Sequence, residues 1–133
     1  MMEQLKVAGV NYISNRMVER GVDAVMFDID DTLIFTDGRP NVPIIDLLYI
    51  ASLKGYKIVV ITARAGIPRV VKFTADQLKE YNIMYDYLGF TSPETKGIMK
   101  EKLPYNFVLS VGDMPTDLTA SEHWLNISTF FHN

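Results

Sequence analysis

Cysteine is absent from the 133 residues, which excludes a disulfide, a thiolate nucleophile and any cysteine-held zinc or iron–sulfur centre. Histidine is almost absent. His123 and His132 both lie near the C-terminus, cannot build a three-histidine zinc site, and are expected at the surface. A basic excess is missing too: 13 Lys and Arg against 16 Asp and Glu leave a net charge of −3, so no positive field draws the chain toward nucleic acid or anionic lipid. Long apolar runs are also lacking. The most apolar stretch, Ile58-Val59-Val60-Ile61, falls far short of the roughly 18 residues of a spanning helix. The start, Met1-Met2-Glu3-Gln4-Leu5-Lys6 followed by the short Val7-to-Val10 stretch, has no signal-peptide core, so a cytoplasmic, intracellular protein is expected. What remains for chemistry is carboxylates, hydroxyls, lysine and arginine.

With 48% hydrophobic and 22% charged residues the chain has the composition of a folded globular protein, and its length suits one domain, 1–133, with an N-terminal helix over 1–21 packed on it. Asp23 to Asp28, Lys57 to Thr62 and Asn106 to Asp113 are continuously apolar and end in a polar residue, as strands buried on both faces do. Tyr85 to Phe90 and Asn126 to Phe131 are weaker strand candidates, the latter at a sheet edge. Ile44, Leu47, Leu48 and Ala51 form a helical stripe opened by Pro43 and closed by Lys54-Gly55. Val70, Val71, Thr74, Leu78 and Tyr81 form another after Pro68. Further helices are predicted from Ser92-Pro93 to about Leu103, with Ser92 as N-cap, from Pro115 to Ser121, and from Glu3 to Arg20, the last stopping at Gly21.

Strands alternating with single helices predict a three-layer, Rossmann-like α/β domain: a parallel sheet of about five strands with helices on both faces. Such sheets bind ligands beyond the carboxyl ends of their strands, where Asp28, Thr62 and Asp113 would converge.

The densest chemical signal is Val25-Met26-Phe27-Asp28-Ile29-Asp30-Asp31-Thr32-Leu33. Carboxylates crowded at a strand end repel one another, and a divalent cation among them relieves the repulsion. Asp-x-Asp-x-Thr after a hydrophobic strand resembles the first motif of the haloacid dehalogenase (HAD) superfamily. The other three motifs follow in order: Thr62 at the end of a second strand, Lys96 in the first turn of a helix, and Gly112-Asp113-Met114-Pro115-Thr116-Asp117 in the Gly-Asp-x-x-x-Asp form.

The resemblance implies a Mg²⁺-dependent phosphatase working through an aspartyl-phosphate. Asp28 would be the nucleophile and Asp30 the general acid and base. Asp28, the backbone carbonyl of Asp30, and Asp113 would hold Mg²⁺, with Asp117 orienting metal-bound water or Lys96. Thr62 and Lys96 would bind the phosphoryl group. Arg64 is balanced between a surface ion pair and a substrate phosphate contact. Asp31, where the family often has Gly, and Thr32 are expected to shape the turn. Many family members insert a cap domain; here only Phe35 to Asn41 separates the first motif from the next helix, with Asp37-Gly38 suggesting a hairpin. The Thr-Ala-Arg second motif and the missing cap are similar to the 3′-phosphatase domains of polynucleotide kinase-phosphatases and to compact acid phosphatases. An open rim suits a macromolecular substrate, a phosphorylated nucleic-acid end or a phosphoprotein, met by Arg39, Arg64 and Arg69. No membrane partner is implied.

Two other readings use the same residues. A receiver-like domain also combines acidic residues, Thr and Lys in a parallel sheet, but places its accepting Asp on the third strand; here the acidic pairs follow the first and fourth full strands. A catalytically lapsed phosphate-binding or interaction domain would keep the fold without the turnover.

Overall fold

The computed structural model describes residues 2–130. Its strands β1 (Asp23–Phe27), β2 (Lys57–Thr62), β3 (Tyr87–Phe90), β4 (Asn106–Gly112) and β5 (His123–Asn126) run parallel in one sheet, with spatial order β3-β2-β1-β4-β5. The helices are α1 (Met2–Ser14), α2 (Val42–Leu53), α3 (Pro68–Glu80) and α4 (Lys96–Lys102). This is the α/β Rossmann-like architecture predicted from the strand pattern. Every residue of β1 is buried, which is why its sequence is apolar throughout instead of alternating.

Helices cover the two faces unequally. On one face Val25, Phe27 and Val60 pack with Leu5 and Ile13 of α1, Leu47 and Leu48 of α2, and Leu78 of α3. On the other, Met26, Val59, Ile61 and Phe107 meet Met99 of α4 together with Leu103 and Tyr105.

The chain leaves β1 for β2 and β3 on one side, then returns past β1 to build β4 and β5 on the other. The crevice at such a reversal is where doubly wound sheets place ligands. Because Phe27 is in register with both Val60 and Val111, the residues that follow these positions share one rim, and the Asp28 N–H continues the ladder to the Val111 carbonyl at 3.0 Å.

No cap domain follows β1. The segment doubles back through a hairpin in which Phe35 N–H donates to the Arg39 carbonyl and Gly38 N–H to the Phe35 carbonyl, each at 2.8 Å. Gly38 takes the left-handed φ of +88° that the turn requires. The Tyr81 hydroxyl, just past α3, donates to the Gly38 carbonyl and pins this flap.

Several boundaries differ from the sequence expectation. The first helix ends at Ser14, not Arg20, since Arg16 leaves the helical path to pair with Asp23 and Glu122, and the Glu19 N–H donates to the Asp23 carboxylate. β3 begins at Tyr87 instead of Tyr85 because the Asp86 carboxylate accepts the Ile58 N–H, turning the chain before the ladder starts. The last strand is His123–Asn126 and not Asn126 to Phe131. The Asn126 side chain accepts both the N–H and the hydroxyl of Ser128, a local turn that ends the strand and leads into a 3-10 turn, Ile127–Phe130. Phe131 and His132 lie outside the described residues. The helix expected from Ser92 divides into a 3-10 turn, Pro93–Thr95, and α4; the Ser92 hydroxyl bonds the Thr95 hydroxyl at 2.8 Å and makes no capping bond to the backbone. The helix expected from Pro115 to Ser121 is only a 3-10 turn, Pro115–Asp117; the Asp117 carbonyl, and the Thr119 carbonyl just after the turn, accept from a lysine described below. Among the described residues no helix is long and apolar enough to cross a membrane.

Candidate active site

Asp28 follows the buried end of β1 and is itself only 5% exposed. A carboxylate there needs a cationic partner, and α4 supplies it: Lys96 Nζ, equally buried, donates to Asp28 Oδ1 at 2.8 Å and to Asp117 Oδ1 at 2.5 Å. Asp117 is held from its other side, where Oδ2 accepts the Met114 N–H at 3.0 Å. Gly112 makes this turn possible, since a side chain there would collide with that of Asp117. Burial alone would pull the Lys96 ammonium down, but Asp28 and Asp117 outweigh it and hold it above the usual lysine value.

Asp28 is raised as well, which for a carboxyl favours the neutral form. Burial and the nearby Asp117 charge push its carboxyl up to about 8 in spite of Lys96. Asp113, at the end of β4, is also raised, chiefly by burial, and its side chain is hydrogen-bonded to that of Asp28. Two carboxyls that share a bond at low solvent access cannot both ionise without added positive charge. One oxygen from each of Asp28, Asp113 and Asp117 falls within 4.8 Å of the others. That all-oxygen donor set fits a hard divalent cation such as Mg²⁺. Within it, Asp117 already has both oxygens engaged, so Asp28 and Asp113 are the carboxyls best placed to hold an ion and Asp117 to brace Lys96.

Asp30 stands apart from that cluster. Its side chain is 55% exposed and turned outward to Arg64, which grips it with two prongs, Nε to Oδ2 at 3.1 Å and NH2 to Oδ1 at 2.8 Å. The other arm of Arg64 donates to Thr74 Oγ1 at 3.1 Å and Gln77 Oε1 at 2.8 Å on α3. Of the two alternatives open for Arg64, the ion pair is the one seen here. Arg39 is likewise paired, with Asp37 at 2.7 Å, so two of the three arginines expected at the rim have their charge offset locally. Arg69 is exposed in the first turn of α3.

Thr62 ends β2 fully buried on the same rim, its hydroxyl accepting the Arg64 N–H at 3.1 Å. Asp31 adopts a left-handed φ of +59°, the conformation glycine favours, and its carboxylate accepts the N–H and hydroxyl of Thr36. It shapes the turn, as expected. Thr32 is fully buried but its hydroxyl finds no partner; the turn is held instead by the Leu33 and Ile34 N–H groups, both donating to the Ile29 carbonyl. His123 is exposed and stacks on Tyr12, away from the carboxylates.

Sequence reasoning missed Lys100. One helical turn after Lys96, it is 1% exposed, and its ammonium donates to Ser110 Oγ at 2.9 Å and to the Asp117 and Thr119 carbonyls at 2.6 and 2.7 Å. Burial draws it down to about 8. Two signals could have found it: the i, i+4 spacing from Lys96, and Ser110 as a lone hydroxyl within an apolar strand.

Neither a protein-family model nor a curated protein matches the sequence. Solved structures do match by fold. A chain of the Pnkp1/Rnl/Hen1 complex superposes with TM-score 0.65 at 21% identity, covering 81% of this chain and 47% of that one. A second structure, of the Pnkp1/Rnl/Hen1 RNA repair complex, gives 0.59 at 23% identity, covering 77% and 40%. A class C acid phosphatase from Bacillus anthracis, solved with tungstate bound, gives 0.63 at 19% identity, covering 89% and 65%. The chain thus spans less than half of the two repair-complex chains and under two thirds of the phosphatase. What they share with this chain at such identity is the fold, a parallel α/β sheet with helices on both faces.

Proposed function

We propose that the chain is a Mg²⁺-dependent phosphomonoesterase that works through a phosphorylated Asp28. The observation that carries this reading is the buried chain Asp28–Lys96–Asp117, with Asp113 beside it, at the topological reversal of the sheet. The acid phosphatase and RNA repair complexes among the fold neighbours support phosphoester chemistry as its general class.

A phosphate monoester is an anion, and an anionic carboxylate attacks it only where positive charge offsets both. Lys96 brings one such charge to Asp28 Oδ1. Mg²⁺, when bound, supplies the rest and favours the ionised form of Asp28. The Asp28 oxygen then forms a bond to phosphorus as the ester P–O bond breaks, and Asp30, once protonated and released from its ion pair with Arg64, gives that proton to the departing oxygen. In the second half Asp30 takes a proton from water, whose oxygen attacks the acyl phosphate, restoring Asp28 and releasing phosphate. Arg64 holds Asp30 on the solvent side, where a leaving group departs. Thr62 and Lys96 receive the phosphoryl oxygens. With a hairpin flap in place of a cap, no element among the described residues closes over a small substrate, so the reading extends to phosphorylated macromolecules: a phosphate-ended nucleic acid or a phosphoprotein.

The test is hydrolysis of an aryl phosphate with Mg²⁺ and with EDTA, followed by borohydride reduction of quenched enzyme, which converts a phosphorylated aspartate into homoserine. Metal-dependent turnover with homoserine at position 28, absent in Asp28→Asn, is expected. Turnover that persists in EDTA, or a label elsewhere, would refute it. Phosphate-ended oligonucleotides, phosphopeptides and sugar phosphates, compared by kcat/KM, then sort the substrate class.

A further inference from the structure

Lys100 takes no part in the reaction just described, yet it is among the largest fully buried side chains of the molecule. A lysine ammonium has three N–H donors and no acceptor, and burial without partners would be prohibitive. Here every donor is used: one on Ser110 in β4, two on the Asp117 and Thr119 carbonyls in the loop after β4. Among the described residues no carboxylate is bonded to it. Ordinary helical packing would not call for a charge in this position; a methionine would fill the same volume.

The two lysines of α4 divide the labour on a single residue. Lys96 binds the Asp117 carboxylate and Lys100 the Asp117 carbonyl, one helical turn apart. Asp117 is therefore gripped at both its side chain and its backbone by one rigid element. The loop from Met114 to Thr119 forms no regular helix, only the Pro115–Asp117 turn; local donors meet the Met114, Pro115, Thr116 and Leu118 carbonyls, while the Asp117 carbonyl takes its donor from outside the loop, from Lys100. α4 also approaches the loop closely: a Cβ at Gly97 would come within 2.9 Å of Thr119 Oγ1.

We infer that Lys100 is a positioning residue for the active site: it clamps the loop after β4 so that Asp117 holds Lys96 against Asp28. The inference rests on the phosphatase reading for its kinetic consequence but not for its structural one. Without Lys100, the Asp117 carbonyl loses its donor and the Thr119 carbonyl keeps only the Ser121 hydroxyl at 3.5 Å, the loop loosens, and the Lys96 ammonium is no longer fixed between two carboxylates. Substrate binding at the open rim is little affected, whereas the attacking geometry is.

The experiment compares wild-type protein with Lys100→Met and Lys100→Arg by amide hydrogen exchange and, separately, by aryl phosphate kinetics. In Lys100→Met, exchange at Asp117, Leu118 and Thr119 is expected to accelerate tenfold or more while β1 and β2 amides stay protected; kcat falls at least tenfold with KM within twofold. Lys100→Arg, which keeps charge and donors, restores most of the loop protection. If Lys100→Met does not fold, Ser110→Ala replaces it, expected to speed exchange in the same loop severalfold by freeing one ammonium donor. Unchanged loop exchange in the folded variant, or loss of protection spread evenly over the sheet, overturns the inference. Should the wild-type protein hydrolyse nothing, the phosphatase reading fails while the exchange arm still decides the role of Lys100.

Discussion

Arg64 and Asp30 form a two-pronged ion pair across the rim, with the guanidinium anchored from behind by Thr74 and Gln77. The pair joins the first motif to α3 and fixes the direction of a carboxyl group that would otherwise rotate freely in solvent. Planar, forked contact of this kind is something only arginine provides.

Arg64→Ala is therefore expected to act through Asp30. Alkyl phosphates, whose leaving oxygen needs a proton, should lose about 10–100-fold in kcat, while an aryl phosphate with a good leaving group changes little. Arg64→Lys should fall between, since an ammonium cannot fork. Equal losses for both substrates would place Arg64 on the phosphate instead.

Asp28 sets a pH dependence in metal-free protein. Its carboxyl is raised by burial from 3.8 to about 8, so the folded state holds the proton better than the unfolded one. That contribution to stability is complete below pH 3.8 and is lost as pH rises toward about 8. Asp28→Asn should flatten this slope and raise the melting temperature of the metal-free protein near pH 8, by about 4 °C for each kcal/mol recovered in a chain of this size. Melting curves in EDTA across the window check it; a variant that melts lower than wild type at pH 8 would contradict it. The inactive variant is then the more stable one.

Cation binding should discharge the same proton. At pH 7 the Asp28–Asp113 pair keeps a proton that a bound Mg²⁺ has to displace, so titration with MgCl₂ in weak buffer should release about one proton per ion. The release should fade above about pH 9 and be absent in Asp28→Asn. An indicator dye measures it; no release at pH 7 would mean that the ion does not bind at this pair.

Gly112→Ala tests the turn that seats Asp117. Its new Cβ would drive into the Asp117 side chain, and the expected cost is about 1–3 kcal/mol with loss of most activity. Gly89→Ala probes the site from the other side: its Cβ would come within 2.5 Å of the Met99 sulfur, so it should lower stability by disturbing the docking of α4 without touching the Asp117 turn. Urea melts and kinetics on both variants separate the two effects.

What the sequence made legible follows from what its patterns encode. Asp28, Thr62 and Asp113 could be placed on one rim because each ends a run that is apolar on both faces, and parallel register does the rest. The side-chain directions were not encoded in that way. Arg64 could have turned to a phosphate or a carboxylate, and only the path of α3, with Thr74 and Gln77 beneath it, settles the orientation seen. Lys100 escaped notice because a lysine on a short helix is ordinarily solvated; its burial depends on a loop distant in sequence. The shift of the last strand came from one side chain, Asn126, bonding Ser128 locally, a competition that strand propensity does not register.

The thin covering of the second sheet face has a consequence for how the molecule would come apart. There a single short helix, α4, both shields the back of the sheet through Met99 and carries Lys96 and Lys100. Seven residues are too few to be helical on their own account and depend on docking. This segment is thus a natural first unit to detach in partial opening, and when it detaches it takes the cations of the site with it. On warming, catalytic competence is lost as a local event while the three-helix side of the sheet is still folded, so heat inactivation should precede the cooperative transition and reverse on cooling.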